Sequence, residues 1–281
     1  GAVSADARGG DVGRFDRPKQ SFAAPWTQLR DGTPEQVGLD RAPIDAALRQ
    51  IDEWTRTNPT SPPVNFPLMS GVVTLLAHEG VIVSRSTSGY AVRYSDGAGT
   101  ELPVEQRVAM RDDTIFDMAS ISKLFTSIAV MQLAEQGKVD VDAPVSRYLP
   151  EFGVNGKAGI TVKQLLIHTS GLVSFVPLWS LYPDKASRIK GVMDIAPKYV
   201  PGSTYEYSDL NLITLGVLVE RLTGSTLDVV VRRGITEPLH MVDTGYNPPA
   251  SKLDRIAATE YQANPPRGIV RGQVHDENAW S

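Results

Sequence analysis

The sequence contains no cysteine, so it can form neither disulfide bonds nor thiolate metal sites. This absence assigns no compartment, because many secreted bacterial proteins also lack cysteine. Histidine is scarce, and its four copies show no His-Glu-x-x-His spacing, so the sequence predicts no metal site. The four are His78, His168, His240 and His275.

Long apolar runs and basic clusters are also absent. No stretch approaches the roughly 20 apolar residues of a membrane-spanning helix, so no transmembrane segment is predicted. The formal net charge is −4, and without a basic patch we expect no nucleic-acid partner. With 41% hydrophobic and 21% charged residues, the 281-residue chain has an ordinary globular composition, sufficient for one large or two interleaved domains.

The start of the chain differs in character from the rest. Its first ten residues are small and polar and lack the apolar centre of a signal peptide. We predict a flexible N-terminal arm over residues 1–33. Residues 34–281 are predicted to form the folded unit.

The order of secondary-structure signals divides residues 34–281 into three parts. Residues 34–119 are predicted to form a helix over 44–55, a hairpin with strands at 71–77 and 81–86 around a turn at 78–80, and a short strand at 114–116. Residues 120–233 carry mostly helical patterns, and residues 234–281 form a connecting segment. The predicted helices include 161–168, 209–223 and 227–233.

Ser120 and Lys123 form the strongest chemical motif. A serine hydroxyl needs a partner to take its proton, and a lysine three residues later on a helix lies on the same face. Apolar residues at helical spacing follow Lys123, which predicts that the pair opens a buried helix. The alternative is a helix-capping serine beside a solvated lysine.

A second copy of the same spacing occurs at Ser187 and Lys190. The polar residues before it resemble a loop, and Gly191 follows directly. We therefore predict an ordinary exposed stretch here, without a nucleophile.

Tyr207 is the second chemical candidate, because it stands just before the apolar helix predicted over 209–223. A phenol in that position could pass a proton between a nucleophile and a leaving group. The alternative is a half-buried core tyrosine with a satisfied hydroxyl.

Four motifs together resemble the serine β-lactamase and penicillin-binding-protein superfamily, in the branch of class C β-lactamases, D,D-carboxypeptidases and related esterases. They are residues 116–123 (FDMASISK), 165–172 (LLIHTSGL), 207–209 (YSD) and 237–241 (EPLHM). Residues 272–279 (GQVHDENA) are most similar to a sub-branch of periplasmic, D,D-carboxypeptidase-like penicillin-binding proteins. The resemblance implies an α+β fold, with an antiparallel sheet flanked by helices and an all-helical subdomain.

The resemblance also implies roles at matching positions, without a cofactor. Ser120 would be the acylated nucleophile, Lys123 would accept or hold its proton, and Tyr207 would be the acid/base that protonates the leaving group. Where the family usually has asparagine, this chain has Asp209, which can accept but not donate a hydrogen bond and would pair with Lys123. Asp209 and His275 are the candidate substrate-binding residues.

His168 and Asp276 have lesser roles in this scheme. The resemblance makes His168 a structural residue that fixes a loop. Asp276 would lie near the mouth of the cleft, although a loop role is an equal alternative for it and for His275.

The superfamily has a third motif, Lys-Thr-Gly or His-x-Gly, which this sequence does not contain. We therefore expect an N-terminal fragment that lacks the C-terminal strands. Such a fragment would lose one of the two donors that stabilise an oxyanion and would leave the hairpin with an unpaired edge. It is predicted to be poorly folded or poorly active until the C-terminal part is supplied.

The expected activity is that of a serine hydrolase acting on a D-alanyl peptide, a small ester or a β-lactam, in a secreted, periplasmic or cell-envelope protein. A peptidase-like or esterase activity is favoured over a dedicated β-lactamase. The alternative is a protein of the same fold that binds penicillin or cell-wall fragments without turnover. A purely structural protein would require Ser120, Lys123 and Tyr207 to coincide by accident.

Overall fold

The computed structural model describes residues 27–60, 62, 64 and 66–281. The α-helices of this part are α1 (Arg41–Trp54), α2 (Ser122–Glu135), α3 (Val162–Leu166), α4 (Leu178–Leu181), α5 (Lys185–Asp194), α6 (Asp209–Thr223), α7 (Leu227–Val231) and α8 (Glu277–Trp280). Shorter 3-10 turns lie at Glu35–Val37, Val104–Gln106, Ala119–Ile121, Val145–Arg147, Pro150–Phe152 and Ala250–Arg255, and a π-helical turn at Arg232–Thr236.

The strands form one four-stranded sheet and one small hairpin. They are β1 (Arg30–Asp31), β2 (Gly71–His78), β3 (Val81–Val92), β4 (Val108–Ala109), β5 (Tyr261–Gln262) and β6 (Gly268–Ile269). In the sheet, β3 pairs antiparallel with β2 and β4 and parallel with β1. Strands β5 and β6 pair with each other.

The β2–β3 hairpin has a tighter turn than the sequence predicted. His78 pairs with Val81 as the last residue of β2, so the turn is Glu79–Gly80 alone. Both turn residues have positive φ, 48° and 79°, as the favoured two-residue hairpin turns require. Strand β3 also continues past the predicted end at residue 86 to Val92, through serines and a threonine that interrupt the apolar pattern.

The predicted N-terminal arm falls mainly outside the described residues, which begin at residue 27. Its last part does not fit the expectation of flexibility, because Arg30 and Asp31 form β1 against Val81 and Ile82. The predicted strand at 114–116 is reduced to one bridge, between Ile115 and Ile256.

The main core lies in the helical part of the chain. Its buried members all fall between Ala129 and Val219 and come from α2 to α6 and the turns between them. Helix α6 has the predicted bounds, since the Ser208 side chain caps its first turn and Gly224 ends it in the left-handed conformation. A second, smaller buried cluster lies at the sheet and is formed by Ala91, Met110 and Ala257.

Helix α2 differs from the predicted buried helix. One face is buried through Ala129, Val130 and Leu133. The other face leaves large apolar side chains exposed, with Leu124 58% and Met131 49% exposed. Among the described helices, none has the length and apolarity needed to span a bilayer.

Candidate active site

Ser120 lies in the 3-10 turn Ala119–Ile121, which leads into α2. The sequence placed it in the first turn of the helix, whereas the α-helix begins two residues later. Ala119, just before it, has φ of 45°, a left-handed conformation that costs a non-glycine residue roughly 1–3 kcal/mol. The turn keeps Ser120 exposed at the surface of the site.

Lys123 is the centre of the polar contacts around Ser120. Its Nζ donates a hydrogen bond to Ser120 Oγ at 3.0 Å. The same Nζ lies 2.8 Å from Asp209 Oδ1 and 4.7 Å from the centre of the Tyr207 ring. Three side chains from two distant parts of the sequence, those of Ser120, Tyr207 and Asp209, thus meet around the Lys123 amine.

The charge of Lys123 follows from these neighbours. Burial lowers the pKa of the lysine, but the Asp209 carboxylate and the Tyr207 phenol outweigh this effect, so the pKa of Lys123 is raised. The expected pairing of Asp209 with Lys123 is therefore present, and it favours the ammonium form. An ammonium can hold the serine oxygen but must lose a proton before it can accept one.

Tyr207 and Asp209 are brought to the site by the start of α6. Asp209 is the first residue of the helix, and Ser208 is its N-cap. Tyr207 directly precedes Ser208, outside the helix, and is 42% exposed, so it is not a core tyrosine. The helix start at Asp209 agrees with the start predicted from the apolar spacing over 209–223, and the Ser208 cap is a signal that was not used.

His168 packs against Tyr207, with ring centres 4.7 Å apart. Its Nδ1 accepts a hydrogen bond from the Ser208 backbone N–H at 3.1 Å and lies 3.0 Å from the Asn211 side-chain amide. Two donors facing Nδ1 place the imidazole proton on Nε2. Burial lowers the pKa of His168, and the Lys123 ammonium lowers it further, so the ring is held neutral.

His275 reaches the site through its backbone. Its N–H donates to the Asp117 carboxylate at 2.8 Å. Its imidazole Nε2 instead lies 2.5 Å from Glu260 Oε1. The structure thus joins residue 275 to the turn that carries Ser120, and the proposed role of its side chain in substrate binding stays a prediction.

A family model described as Beta-lactamase matches residues 67–281. The chain belongs to the β-lactamase family. The superfamily expected from the four motifs is therefore confirmed.

Two curated relatives of this β-lactamase-family chain have names from cell-wall chemistry. It is 31% identical over 292 residues to "N-acetylmuramyl-L-alanine amidase" of Bacillus subtilis (strain 168), which covers 94% of this chain and 63% of the relative. It is 31% identical over 288 residues to "Putative D-alanyl-D-alanine carboxypeptidase" of Escherichia coli (strain K12), with 92% and 62% covered. The chain spans less than two thirds of the length of these relatives.

A solved structure confirms the fold class. A penicillin-binding protein homolog from Caulobacter crescentus superposes with a TM-score of 0.58 at 23% identity, over 78% of this chain and 54% of that one. At this identity the likeness shows the α+β fold of the superfamily and nothing about substrate.

The second copy of the serine–lysine spacing lies in α5 of this β-lactamase-family chain. The residues before it, 182–185, resembled a loop in the sequence, but Asp184 caps a helix there and Ser187 completes the capping box. The Ser187 hydroxyl donates to the Asp184 carbonyl, and Lys190 pairs with Asp194. Both side chains are therefore engaged in helix contacts, which agrees with the prediction that this copy holds no nucleophile.

Asp117 is the residue that the sequence reasoning missed. Its carboxylate accepts from the N–H of Ala119 two residues later, at 2.8 Å, while also accepting from His275. An aspartate that bonds the N–H two residues ahead is a common turn device, so the Asp-Met-Ala run was an available signal. Within the described part of the chain, no three His, Asp or Glu side chains form a set that could bind a metal ion.

Proposed function

We propose that the protein is a serine hydrolase that works by acyl transfer through an acyl-enzyme at Ser120. The observation that carries this proposal is the position of Lys123 Nζ, 3.0 Å from Ser120 Oγ and beside the Tyr207 ring. A nucleophile, a base and a second acid/base group within reach of one another are what covalent catalysis requires. No residue outside this set is needed to move the serine proton.

In the proposed reaction, Ser120 Oγ attacks the substrate carbonyl carbon as its proton passes to the neutral amine of Lys123. The Tyr207 phenol protonates the leaving group as that bond breaks, and it recovers a proton from Lys123. Water then attacks the acyl-enzyme, gives its proton to the Lys123–Tyr207 pair and releases the acid. Ser120 finally regains its proton, so the enzyme is unchanged.

The negative charge on the attacked oxygen requires backbone donors. We expect the Ser120 N–H to be one of them. The resemblance assigns the other to backbone beside the Lys-Thr-Gly or His-x-Gly strand, a motif that this sequence does not contain. Removal of one oxyanion donor typically costs about 10²–10³ in rate, so the activity of these residues alone is expected to be low.

The proposed substrates are D-alanyl peptides of cell-wall origin or small esters, and β-lactams are expected to be poorer. The names of the two curated relatives support a cell-wall peptide. Asp209 argues against efficient β-lactam turnover, because a carboxylate cannot donate a hydrogen bond to the acylamide carbonyl. A secreted, periplasmic or envelope location fits such a substrate and is part of the proposal.

The alternative is a protein of this fold that is acylated once or only recognises cell-wall fragments. Asp209 favours it, because the raised pKa of Lys123 keeps the amine protonated near neutral pH and so slows proton transfer. The two functions differ in turnover, which makes them separable.

A fluorescent penicillin and a chromogenic short-chain ester separate these functions. The protein is purified as its gene encodes it and mixed with each probe. Steady release of the chromophore supports the hydrolase, while labelling at one mole per mole without turnover supports the alternative. If neither probe reacts, acyl transfer at Ser120 is contradicted and recognition alone is left.

The Ser120→Ala variant should lose both ester turnover and penicillin labelling, because no other oxygen occupies the attacking position. Ser120 is exposed and outside α2, so the thermal unfolding temperature is expected to stay unchanged. Ser187→Ala is the matched control, since it alters the second serine–lysine copy and should keep full activity. Turnover that survives Ser120→Ala would refute the assignment of the nucleophile.

A further inference from the structure

The Asp117 carboxylate joins two parts of the chain that are 158 residues apart. One oxygen accepts from the backbone N–H of Ala119, and the other accepts from the backbone N–H of His275, both at 2.8 Å. Because both donors are backbone groups, the side chains of these partners are not required. Asp117 therefore connects the residue before Ser120 to the segment 274–280.

The Ala119 end of this connection lies on strained backbone. The left-handed φ of 45° is one that residues with a Cβ hold only when the surroundings support it. Any relaxation of Ala119 would rotate the next residue, Ser120, and move its hydroxyl away from Lys123. The bond from Asp117 opposes this relaxation.

The His275 end is held from the other side by Asn278 in α8. The Asn278 side chain donates to the Val176 carbonyl at 2.9 Å and accepts from the Trp179 N–H at 3.0 Å. Arg267 also donates to the His275 carbonyl at 3.0 Å. The segment 274–280 is thus bound to residues 173–179, a loop that runs into the first turn of α4.

That loop is bound in turn to the start of α6. The Asp209 N–H donates to the Ser174 carbonyl at 2.9 Å. The Asp209 carboxylate reaches Lys123, which donates to Ser120. The contacts therefore form a closed ring. It runs from Ser120 through Asp117, segment 274–280, loop 173–179 and the start of α6, and it returns to Ser120 through Lys123.

We propose that Asp117 is a positioning residue that closes this ring and so holds Ser120 in register with Tyr207 and Asp209. The kinetic consequences rest on the proposed function, whereas the ring itself does not. Asp117 touches no reacting atom in this scheme. It acts through the backbone of Ala119.

The test opens the ring at two separate links. Asp117→Asn keeps the shape but replaces one acceptor oxygen with a donor, so one of the two N–H groups loses its partner. Asn278→Ala opens the link to loop 173–179. For each variant we expect kcat for the chromogenic ester to fall about 10²-fold with KM little changed, because a misplacement of about 1 Å can cost that much.

The double variant is the decisive measurement. A ring that is already open cannot be opened again, so Asp117→Asn combined with Asn278→Ala should lose little more than either alone. Losses that multiply would overturn the proposal. Asp112→Asn is the matched control, because Asp112 is an exposed aspartate shortly before Asp117 in the chain. This variant should keep the wild-type kcat.

A purely structural role is distinguished by titrating the reactive serine. Each kcat is divided by the fraction of molecules that the fluorescent penicillin or a fluorophosphonate labels at completion. If Asp117→Asn only lowers that fraction and leaves kcat per labelled site unchanged, Asp117 stabilises the fold without positioning Ser120, and the proposal is wrong.

Backbone hydrogen exchange tests the ring without any substrate. Asp117→Asn should lose protection at the Ala119 or His275 amide, while Asp112→Asn keeps it at both. Unchanged protection at both amides would overturn the proposal. If the wild-type protein shows neither turnover nor labelling, the proposed function fails, and the exchange result still decides whether the ring exists.

Discussion

At the scale of single residues, Lys123 contacts two oxygens that favour different protonation states. The Asp209 carboxylate favours the ammonium, whereas attack by Ser120 requires a neutral amine to take its proton. The folded protein favours the ammonium form, since the pKa of Lys123 is raised. The rate of the proposed reaction should therefore rise as the pH approaches the pKa of this lysine.

Asp209→Asn is expected to shift the rising limb of the kcat/KM profile to lower pH. The substitution removes the carboxylate that raises the pKa of Lys123 while burial, which lowers it, is retained. More of the amine is then neutral at any given pH below its pKa. The measurement is kcat/KM for the chromogenic ester across the pH range, together with the rate of β-lactam hydrolysis, which should increase because asparagine can donate to the acylamide carbonyl.

Asp228→Asn is the matched control for this shift. Asp228 is also an acidic residue in the first turn of a helix, α7, and it is not among the contacts of Lys123. Its replacement should leave the pH profile in place. If the rising limb of the kcat/KM profile stays at the same pH in Asp209→Asn, or moves to higher pH, then Lys123 is not the titrating group.

At the scale of secondary-structure elements, a buried lysine connects α5 to the loop after Phe152. Lys157 is fully buried, and its Nζ donates to the carbonyls of Val154 at 3.2 Å, Met193 at 2.7 Å and Ile195 at 2.5 Å. Carbonyls at the end of a helix have no partner within it, so a cation there is favourable. Lys157 thus closes the C-terminal end of α5.

Lys157→Met should lower the free energy of unfolding by about 2–4 kcal/mol, because three carbonyls lose a charged donor that methionine cannot replace. The measurement is urea unfolding of both proteins. Lys138→Met, at an exposed lysine, is the control and should change the stability little. A loss no larger than that of the control would mean that the carbonyls find other partners.

The pH dependence of this effect has a defined sign. Burial lowers the pKa of Lys157, against the opposing charge of Asp194. Between the lowered pKa and the ordinary value of 10.5, the unfolded chain binds more protons at this site than the folded chain. The stability that Lys157 confers should therefore increase as the pH rises through that window, so the deficit of Lys157→Met grows with pH.

At the scale of the whole molecule, one apolar face of α2 and the turn before it is exposed. The side chains of Ile121, Leu124 and Met131 are about half exposed, so covering each would add about half of the roughly 1.5–3 kcal/mol that complete burial of such a side chain contributes. Strand β2 also has no strand partner on its outer edge among the described residues. More than a third of the length of each of these curated relatives lies outside the matched region.

We expect the 281-residue chain to bind the dye ANS through this face and to hydrolyse the ester slowly. A polypeptide homologous to the part of the relatives outside the matched region, supplied in trans, should lower the dye fluorescence and raise the rate. Leu124→Lys should also lower the fluorescence by breaking the apolar face, but without raising the rate. Equal activity with and without the added polypeptide would contradict the expectation.

Local chemistry allowed the sequence to determine much of this protein. Ser120 and Lys123 are one helical turn apart, and Ser208 and Gly224 mark the ends of α6, so each signal lies within a few residues of what it specifies. The exposed face of α2 was predicted wrongly, because periodicity shows that a face is apolar and does not show what covers it.

Only the tertiary structure decided how those local pieces are held in register. The bonds from Asp117 to Ala119 and His275, and the three from Lys157, are made to backbone N–H and C=O groups. Every residue except proline carries both groups, so the sequence does not indicate which backbone groups will bond to these two side chains. The Asp117 carboxylate that accepts from the Ala119 N–H also accepts from His275, 158 residues from Asp117, and this second contact becomes visible only when the chain is folded.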